Sequence, residues 1–175
     1  QEGKRFLSEV GHTLTYDKRD SRLSPTEGFV VRVTNDLAGF GGNIRYLRNR
    51  LNAGQYYEVI DDWVLAVTGG VGHILGLGKD VEIADRFFLG GDSLRGFQTA
   101  GVGPRDRLTK DSLGGEWKYN GSVQVTFPLG LPTEFGVSGR LFTDFGSIGQ
   151  VSPSNSNIQD TGSIRAAAGA GLGWV

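Results

Sequence analysis

The feature that most constrains the fold of this chain is an alternation of apolar and polar residues with a period of two. Successive side chains of a β-strand point to opposite faces, so this period predicts strands with one apolar and one polar face. In residues 29–34, FVVRVT, the apolar positions fall on one face and Arg32 and Thr34 fall on the other. Comparable runs lie near residues 10–17, 63–72, 122–127, 135–145 and 164–174. Helical periodicity is scarce, so the sequence predicts an all-β fold.

A seventh strand is predicted across residues 43–57, although its alternation is weaker. Arg45 shares its parity with Leu47, whereas Arg48 and Arg50 have the opposite parity. Two explanations are open at this point. Either a β-bulge resets the faces, or the strand runs past the layer that its neighbours cover.

Composition excludes several classes of protein. Glycine accounts for 29 of the 175 residues, but without the three-residue period of collagen. The absence of cysteine excludes disulfides, thiolate zinc sites and cysteine nucleophiles. The 18 basic residues are balanced by 19 acidic ones, which does not favour a nucleic-acid partner. No apolar run reaches the roughly 18–20 residues of a transmembrane helix, but membrane-spanning strands need only alternate in hydrophobicity.

The predicted connections between strands alternate in length. Residues 21–28, 60–62 and 130–134 form short turns, whereas residues 76–117 and 149–162 form long loops. Short turns at one end and long loops at the other are typical of outer-membrane β-barrels. A soluble sandwich or a lipocalin-like barrel would show the same strands with the apolar face turned inward.

Two compositional details favour the membrane barrel over the soluble alternatives. The polar faces are rich in small residues, and aromatic residues cluster near predicted strand ends, as in the girdles at membrane interfaces. The aromatic residues in question are Phe29, Tyr56, Tyr57, Trp63, Phe127, Phe135, Phe145 and Trp174.

A long motif lies within the longest loop. Residues 85–97 read DRFFLGGDSLRGF, and residues 101–105 read GVGPR. Together these runs closely resemble the loop motif of the Omp85 superfamily, and in particular of its bacterial outer-membrane assembly factors. Further matches follow in order along nearly the whole chain. They are YDKRD and SPTEG at 16–28, the strand after the loop at 114–129, LFTDFG at 141–146 and IRAAAGAGLGW at 164–174.

The resemblance implies that residues 1–175 are part of an antiparallel transmembrane β-barrel of sixteen strands. The chain is expected to hold about seven of these strands, the eighth to the fourteenth. The loop 76–117 is expected to be extracellular and to fold back into the barrel lumen. POTRA domains, seven earlier strands and two later ones are expected to lie outside the chain, which is then less than half of one protein.

The function that the resemblance implies is the insertion of other β-barrels into the outer membrane of a Gram-negative cell. Such an insertase presents a strand edge as a template, uses no cofactor and is not an enzyme. Its expected partners are outer-membrane lipid and lipopolysaccharide, unfolded outer-membrane protein clients and accessory assembly lipoproteins. Two alternatives are another Omp85 transporter, either TamA-like or a two-partner secretion pore, and a soluble β-barrel binding protein.

The resemblance also assigns roles to residues of the loop and of the barrel wall. The loop-anchoring motif is Leu94, Arg95, Gly96 and Phe97, and its partners on the wall are Asp144 and Gln124. Strand parity places both partners on the polar face. Many relatives carry a glutamate where this chain has Gln124, so Asp144 is expected to carry most of the charge that binds Arg95. Supporting loop residues are Arg86, Phe87, Phe88, Gly90, Gly91, Gly101, Gly103, Pro104 and Arg105.

Other patterns in the chain are weaker. Residues 91–94 spell GDSL, a motif of lipases, but a nucleophilic Ser93 needs a histidine base, and His12 and His73 both lie upstream. Two histidines on different strands do not predict a metal site. The basic residues Arg45, Arg48 and Arg50 either contact anionic lipid A phosphates at the outer rim or are solvated.

Overall fold

The computed structural model describes residues 5–132, 135–160 and 162–174. The two ends of the predicted domain and part of the predicted turn at 130–134 lie outside the described residues. The described residues form nine strands. They are β1 (Glu9–Asp17), β2 (Gly28–Ala38), β3 (Tyr46–Ile60), β4 (Trp63–Gly76), β5 (Arg105–Asp106), β6 (Trp117–Pro128), β7 (Val137–Gly149), β8 (Ile158–Gln159) and β9 (Arg165–Trp174).

Seven of these strands form one antiparallel sheet in the order β1-β2-β3-β4-β6-β7-β9. Each strand pairs with the next long strand along the chain, so the sheet is a meander. The all-β prediction and its seven strands are therefore confirmed. No helix in the described part of the chain is long and apolar enough to cross a membrane.

Alternate connections lie at opposite ends of the sheet, because neighbouring strands are antiparallel. One end, the turn end, carries the connections 18–27, 61–62 and the one between β6 and β7. The other end, the long-loop end, carries residues 39–45, 77–116 and 150–164. Two of these long loops pair with each other through the two-stranded sheet of β5 and β8. The longest loop also contains two 3-10 turns, Ile83–Asp85 and Gly91–Ser93.

The strand register assigns every residue of the sheet to one of two faces. We call the face that carries Ser122, Gln124 and Asp144 the inner face, and the opposite one the outer face. Strand β3 keeps one register with β4 from Tyr46 to Glu58, and the only irregularity in this pairing follows Glu58. The weak alternation of β3 therefore reflects polar residues on its outer face, and not a bulge near its arginines.

The hydrophobic core lies between the inner face and the loop 77–116. Ile74 and Ile148 from the sheet and Leu89 and Leu94 from the loop are essentially inaccessible to solvent. An inner face in contact with a folded loop needs small residues to leave room for it. At Gly72, for example, an added Cβ atom would lie 2.8 Å from the ring of Phe87.

The outer face is largely apolar and exposed, although one polar row crosses β1 to β4 and consists of His12, Asn35, Asn49 and His73. Leu14, Val71 and Leu141 each expose more than half of their surface, at 66%, 51% and 52%. An exposed apolar face of this kind needs a partner, whether lipid or protein. The soluble alternative, in which the apolar face would point inward, does not describe this arrangement.

Aromatic residues of the outer face lie near both ends of the sheet. At the long-loop end Trp117 stacks on Tyr119, with ring centroids 6.0 Å apart, and at the turn end two further pairs form. Trp63 stacks on Phe127 with ring centroids 5.1 Å apart, and Tyr16 contacts Phe29 at 5.5 Å. The sequence predicts Tyr56 as a member of the aromatic girdles. The register instead places it on the inner face, where Arg19 lies over its ring. The prediction for Tyr56 is therefore wrong, because adjacent residues of a strand face opposite ways.

Candidate functional site: the anchored loop

The loop 77–116 returns over the inner face and is closed by its own backbone. Phe87 and Gly115 exchange two hydrogen bonds of 2.9 Å, and the N–H of Val102 donates to the carbonyl of Leu89. The loop is therefore a folded element and not a loose connection.

Arg86 holds the base of the loop together through backbone carbonyls. Its guanidinium donates to the carbonyl oxygens of Val81 at 2.9 Å, Ser152 at 2.9 Å and Leu113 at 3.2 Å. Burial lowers the pKa of Arg86, and the charge of Glu116 acts in the opposite direction. Glu116 in turn accepts the N–H of Ser152 at 2.7 Å, so both long loops are tied to one point.

Arg95 is the centre of the contact between the loop and the sheet. Its Nε and Nη2 atoms donate to the two carboxylate oxygens of Asp144, each at 2.7 Å, which is a bidentate pair. Nη1 donates to Oε1 of Gln124 at 2.8 Å, and Nη2 also donates to Oγ of Ser122 at 2.9 Å. The backbone N–H of Arg95 adds a bond of 3.1 Å to Asp144. The Asp144 side chain is 5% exposed and that of Arg95 is 33% exposed, so water reaches the pair mainly from the arginine side.

Two residues of this site were not predicted as partners of Arg95. Ser122 is one, and Phe142 is the other, with its ring centroid 3.6 Å from the guanidinium carbon. A guanidinium over an aromatic face gains a cation–π attraction. Parity places both residues on the inner face with Gln124 and Asp144, but it does not say which of the residues on that face contact Arg95.

The residues beside Arg95 complete its docking. Leu94 is fully buried, and Phe97 packs against the core. Gly96 has a φ of 86°, and a Cβ atom added there would lie 3.0 Å from Cβ of Ala167 on β9. Both observations favour glycine, because the left-handed conformation is costly for other residues.

The supporting residues of the loop divide into buried and exposed ones. Phe87 and Pro104 are buried, whereas Phe88 remains 37% exposed. Gly90 has a φ of 131°, and an added Cβ atom would lie 2.0 Å from the carbonyl oxygen of Gln98. Arg105 donates to the carbonyl of Gly101 at 2.9 Å. The other predicted supporting residues, Gly91 and Gly103, lie in the same folded segment.

A second charged cluster lies on the inner face between β1, β2 and β3. Asp36 accepts Nε of Arg48 at 3.0 Å and Nη2 of Arg50 at 2.7 Å. Glu9 accepts a bond from Arg48 at 3.2 Å and another from the hydroxyl of Tyr46. The predicted contact with lipid A phosphates is thus wrong for Arg48 and Arg50, because both bind carboxylates on the inner face. Arg45 has the opposite parity and is exposed.

The arrangement does not support hydrolysis at the GDSL run. The hydroxyl of Ser93 donates to the carbonyl of Gly90 and accepts the N–H of the same residue, so it closes a tight turn. His12 and His73 lie on the outer face, away from the loop. Within the described residues, no group of three or more potential ligands could hold a metal ion.

Comparisons with known proteins agree with this architecture. The chain is 36% identical over 174 residues to the outer membrane protein assembly factor BamA of Neorickettsia risticii, covering 98% of this chain and 23% of that protein. It is 33% identical over 145 residues to the sorting and assembly machinery component 50 homolog of Bos taurus, covering 81% of this chain and 30% of that protein. The chain thus spans less than a third of these relatives.

A similar fold occurs in a solved structure. The crystal structure of BamA from Haemophilus ducreyi lacking POTRA domains 1–3 superimposes with a TM-score of 0.83 at 23% identity, covering 95% of this chain and 36% of that chain. Residues 1–175 also match the profile of the Omp85 superfamily domain along their full length. The chain belongs to the Omp85 superfamily.

Proposed function

We propose that this chain is the wall and anchored loop of an outer-membrane β-barrel assembly factor of the BamA type. The observation that carries the proposal is the bidentate pair between Arg95 and Asp144, which fixes a forty-residue loop (77–116) to the inner face. The outer face of the same sheet is largely apolar and exposed, as a wall in contact with lipid requires. The relatives named above support the same function.

The proposed activity is non-covalent and needs no enzyme chemistry. A client strand that enters lipid unpaired leaves backbone groups without partners, at several kcal/mol each. A strand edge of the assembly factor satisfies these groups by strand addition. In this proposal the segment described above keeps the barrel wall rigid and the loop docked while an edge elsewhere in the protein acts as the template.

The proposal includes a location and partners. We assign the protein to the outer membrane of a Gram-negative cell, with lipid and lipopolysaccharide around the outer face. Unfolded outer-membrane proteins are its clients, and accessory lipoproteins are its partners in assembly. The alternative of a TamA-like factor or a two-partner secretion pore has no separate observation in its favour.

The test uses the full-length protein in cells that depend on it. We expect Arg95→Ala and Asp144→Ala each to lower the level of folded client barrels in the outer membrane. The matched control is Arg32→Ala, because Arg32 is an exposed inner-face arginine without a side-chain hydrogen bond or ion pair to the described residues. Normal client levels together with unchanged heat-modifiable migration for both site variants would contradict the proposed role.

A further inference from the structure

The outer face carries a recess at its long-loop end. We call it the rim recess, and it has a volume of about 290 Å³. Its lining combines apolar side chains with a single cation. The lining residues are Leu37, Ala38, Gly39, Phe40, Arg45 and Leu77.

Arg45 is the cation of the rim recess, and its position is fixed at the backbone. Its carbonyl accepts the N–H of Leu77 at 3.0 Å. Its side-chain stem lies against Gly39, where an added Cβ atom would be 3.1 Å from Cγ of Arg45. The guanidinium itself is exposed and forms no hydrogen bond or ion pair within the described ranges. Arg45 therefore presents a free charge beside an apolar surface.

The neighbouring basic residues show how unusual this position is. Arg48 and Arg50 follow within five residues, but both point inward and bind Asp36. A second exposed cation, Lys79, donates to the carbonyl of Asn43 at 3.0 Å, so it lies close to the segment that leads into Arg45. Among the described residues that line the rim recess, Arg45 alone is charged, so the recess carries a positive charge.

We infer that the rim recess binds a membrane lipid with an anionic phosphate headgroup. Arginine matches phosphate oxygens with its fork of donors, and long basic side chains at the edge of an apolar band reach toward headgroups. Leu77 lies opposite Arg45, and the next row of the outer face carries Leu37 and Leu75; all three leucines are exposed. The acyl chain of the bound lipid lies on these leucines, while the phosphate of its headgroup contacts Arg45. The charge of Arg45 beside the apolar patch of Leu37, Leu75 and Leu77 favours a lipid over a free anion.

This inference rests on the proposed function, because it takes the outer face to be in contact with the membrane. Its test is nevertheless separate. Lipid binding is measured on the purified full-length protein in neutral detergent, without clients, by native mass spectrometry with added phosphatidylglycerol or phosphatidylcholine. Loss of client assembly in cells does not enter this measurement, so a failure of either idea can be told from a failure of the other.

We expect wild-type protein to retain phosphatidylglycerol in preference to phosphatidylcholine. Arg45→Gln should weaken phosphatidylglycerol binding about five-fold, the usual effect of one basic residue near a lipid surface. The matched control Arg32→Gln removes the same charge from the inner face and should change nothing. Leu77→Asn should weaken both lipids, since it alters the apolar part of the recess. Thermal unfolding of each variant checks that it is folded.

Four results would overturn the assignment. One is wild-type binding by Arg45→Gln, and another is an equal loss for Arg45→Gln and Arg32→Gln. Displacement of the lipid by millimolar inorganic phosphate would assign the site to a free anion. A dimer mass that disappears with Arg45→Gln would assign the recess to a second copy of the protein.

Discussion

Two charged clusters on the inner face use the same chemistry but connect different parts of the molecule. The Arg95 cluster joins the loop 77–116 to β6 and β7, with partners 27 to 49 residues away in sequence. The Asp36 cluster joins β1, β2 and β3, which are already paired along their length. The first cluster attaches a loop to the sheet, whereas the second adds to strands that backbone hydrogen bonds already hold together.

The clusters also differ in how many carboxylates their central arginine contacts. Arg95 has one carboxylate, Asp144, and two neutral partners. Asp36 instead binds both Arg48 and Arg50, and Glu9 also binds Arg48, so Arg48 has two acidic partners. Loss of one acid should therefore be more costly at Arg95 than at Arg48.

The largest effect is expected for Asp144→Ala. Removing one partner of a buried ion pair costs about 3–5 kcal/mol, and we expect about 2–3 kcal/mol here because Arg95 keeps some access to water. The result should be release of the loop, seen as faster hydrogen exchange across residues 86–105 in the full-length protein. The control is Asp36→Ala, which should lower thermal stability without faster exchange in the loop. Equal loop exchange in both variants would show that the clusters do not differ in this way.

Gly96→Ala should have a smaller effect on the same docking. The residue has a φ of 86°, and its new Cβ atom would meet Ala167 at 3.0 Å. Gly41 is the matched control, with a φ of 85° and nothing within 4 Å of an added Cβ atom. Both substitutions carry a backbone strain of about 1 kcal/mol, but only Gly96→Ala adds a contact with the sheet. Loop exchange should rise for Gly96→Ala alone, and Ala167→Gly should partly restore protection.

Gln124→Glu should strengthen the Arg95 cluster by giving Arg95 two carboxylate partners, as Arg48 has. A charge-assisted hydrogen bond is roughly twice as strong as a neutral one, so we expect a gain of about 0.5–1 kcal/mol in loop docking. Slower hydrogen exchange in residues 86–105 would be the sign of this gain. Faster exchange would mean that repulsion between Glu at position 124 and Asp144 outweighs the stronger bond to Arg95.

The smallest effect is expected at the turn end, where contacts are local. Backbone N–H donation from Glu27 and the hydroxyl of Thr26 lower the pKa of Asp20 from 3.8 to about 2. A carboxyl with a lowered pKa stabilises the fold above its ordinary pKa, and this contribution is lost as the pH falls from about 4 to about 2. Unfolding of Asp20→Asn should therefore depend less on pH in this window than that of the wild type. If the stability of both proteins changed with pH in the same way, Asp20 would make no pH-dependent contribution to stability.

Much of the fold could be predicted from the sequence because strand periodicity is a local property. Each strand face follows from backbone geometry, and glycine and proline positions separate short turns from long loops. The motif around Arg95 and the parity of Asp144 and Gln124 then predicted neighbours that the structure places within hydrogen-bonding distance. The contribution of Phe142 was harder to predict, since an aromatic residue on a polar face has many possible partners.

The sequence by itself determined which residues of a strand share a face, how many strands form the large sheet and approximately where the longest loop begins and ends. Only the tertiary structure decided what that loop contacts. It brings Ser122 and Phe142 to Arg95, turns Arg48 and Arg50 toward Asp36, and pairs β5 with β8 across two loops. The physical reason is distance along the chain. A period of two is set by neighbouring backbone units, whereas the path of a forty-residue loop depends on packing between residues far apart in sequence.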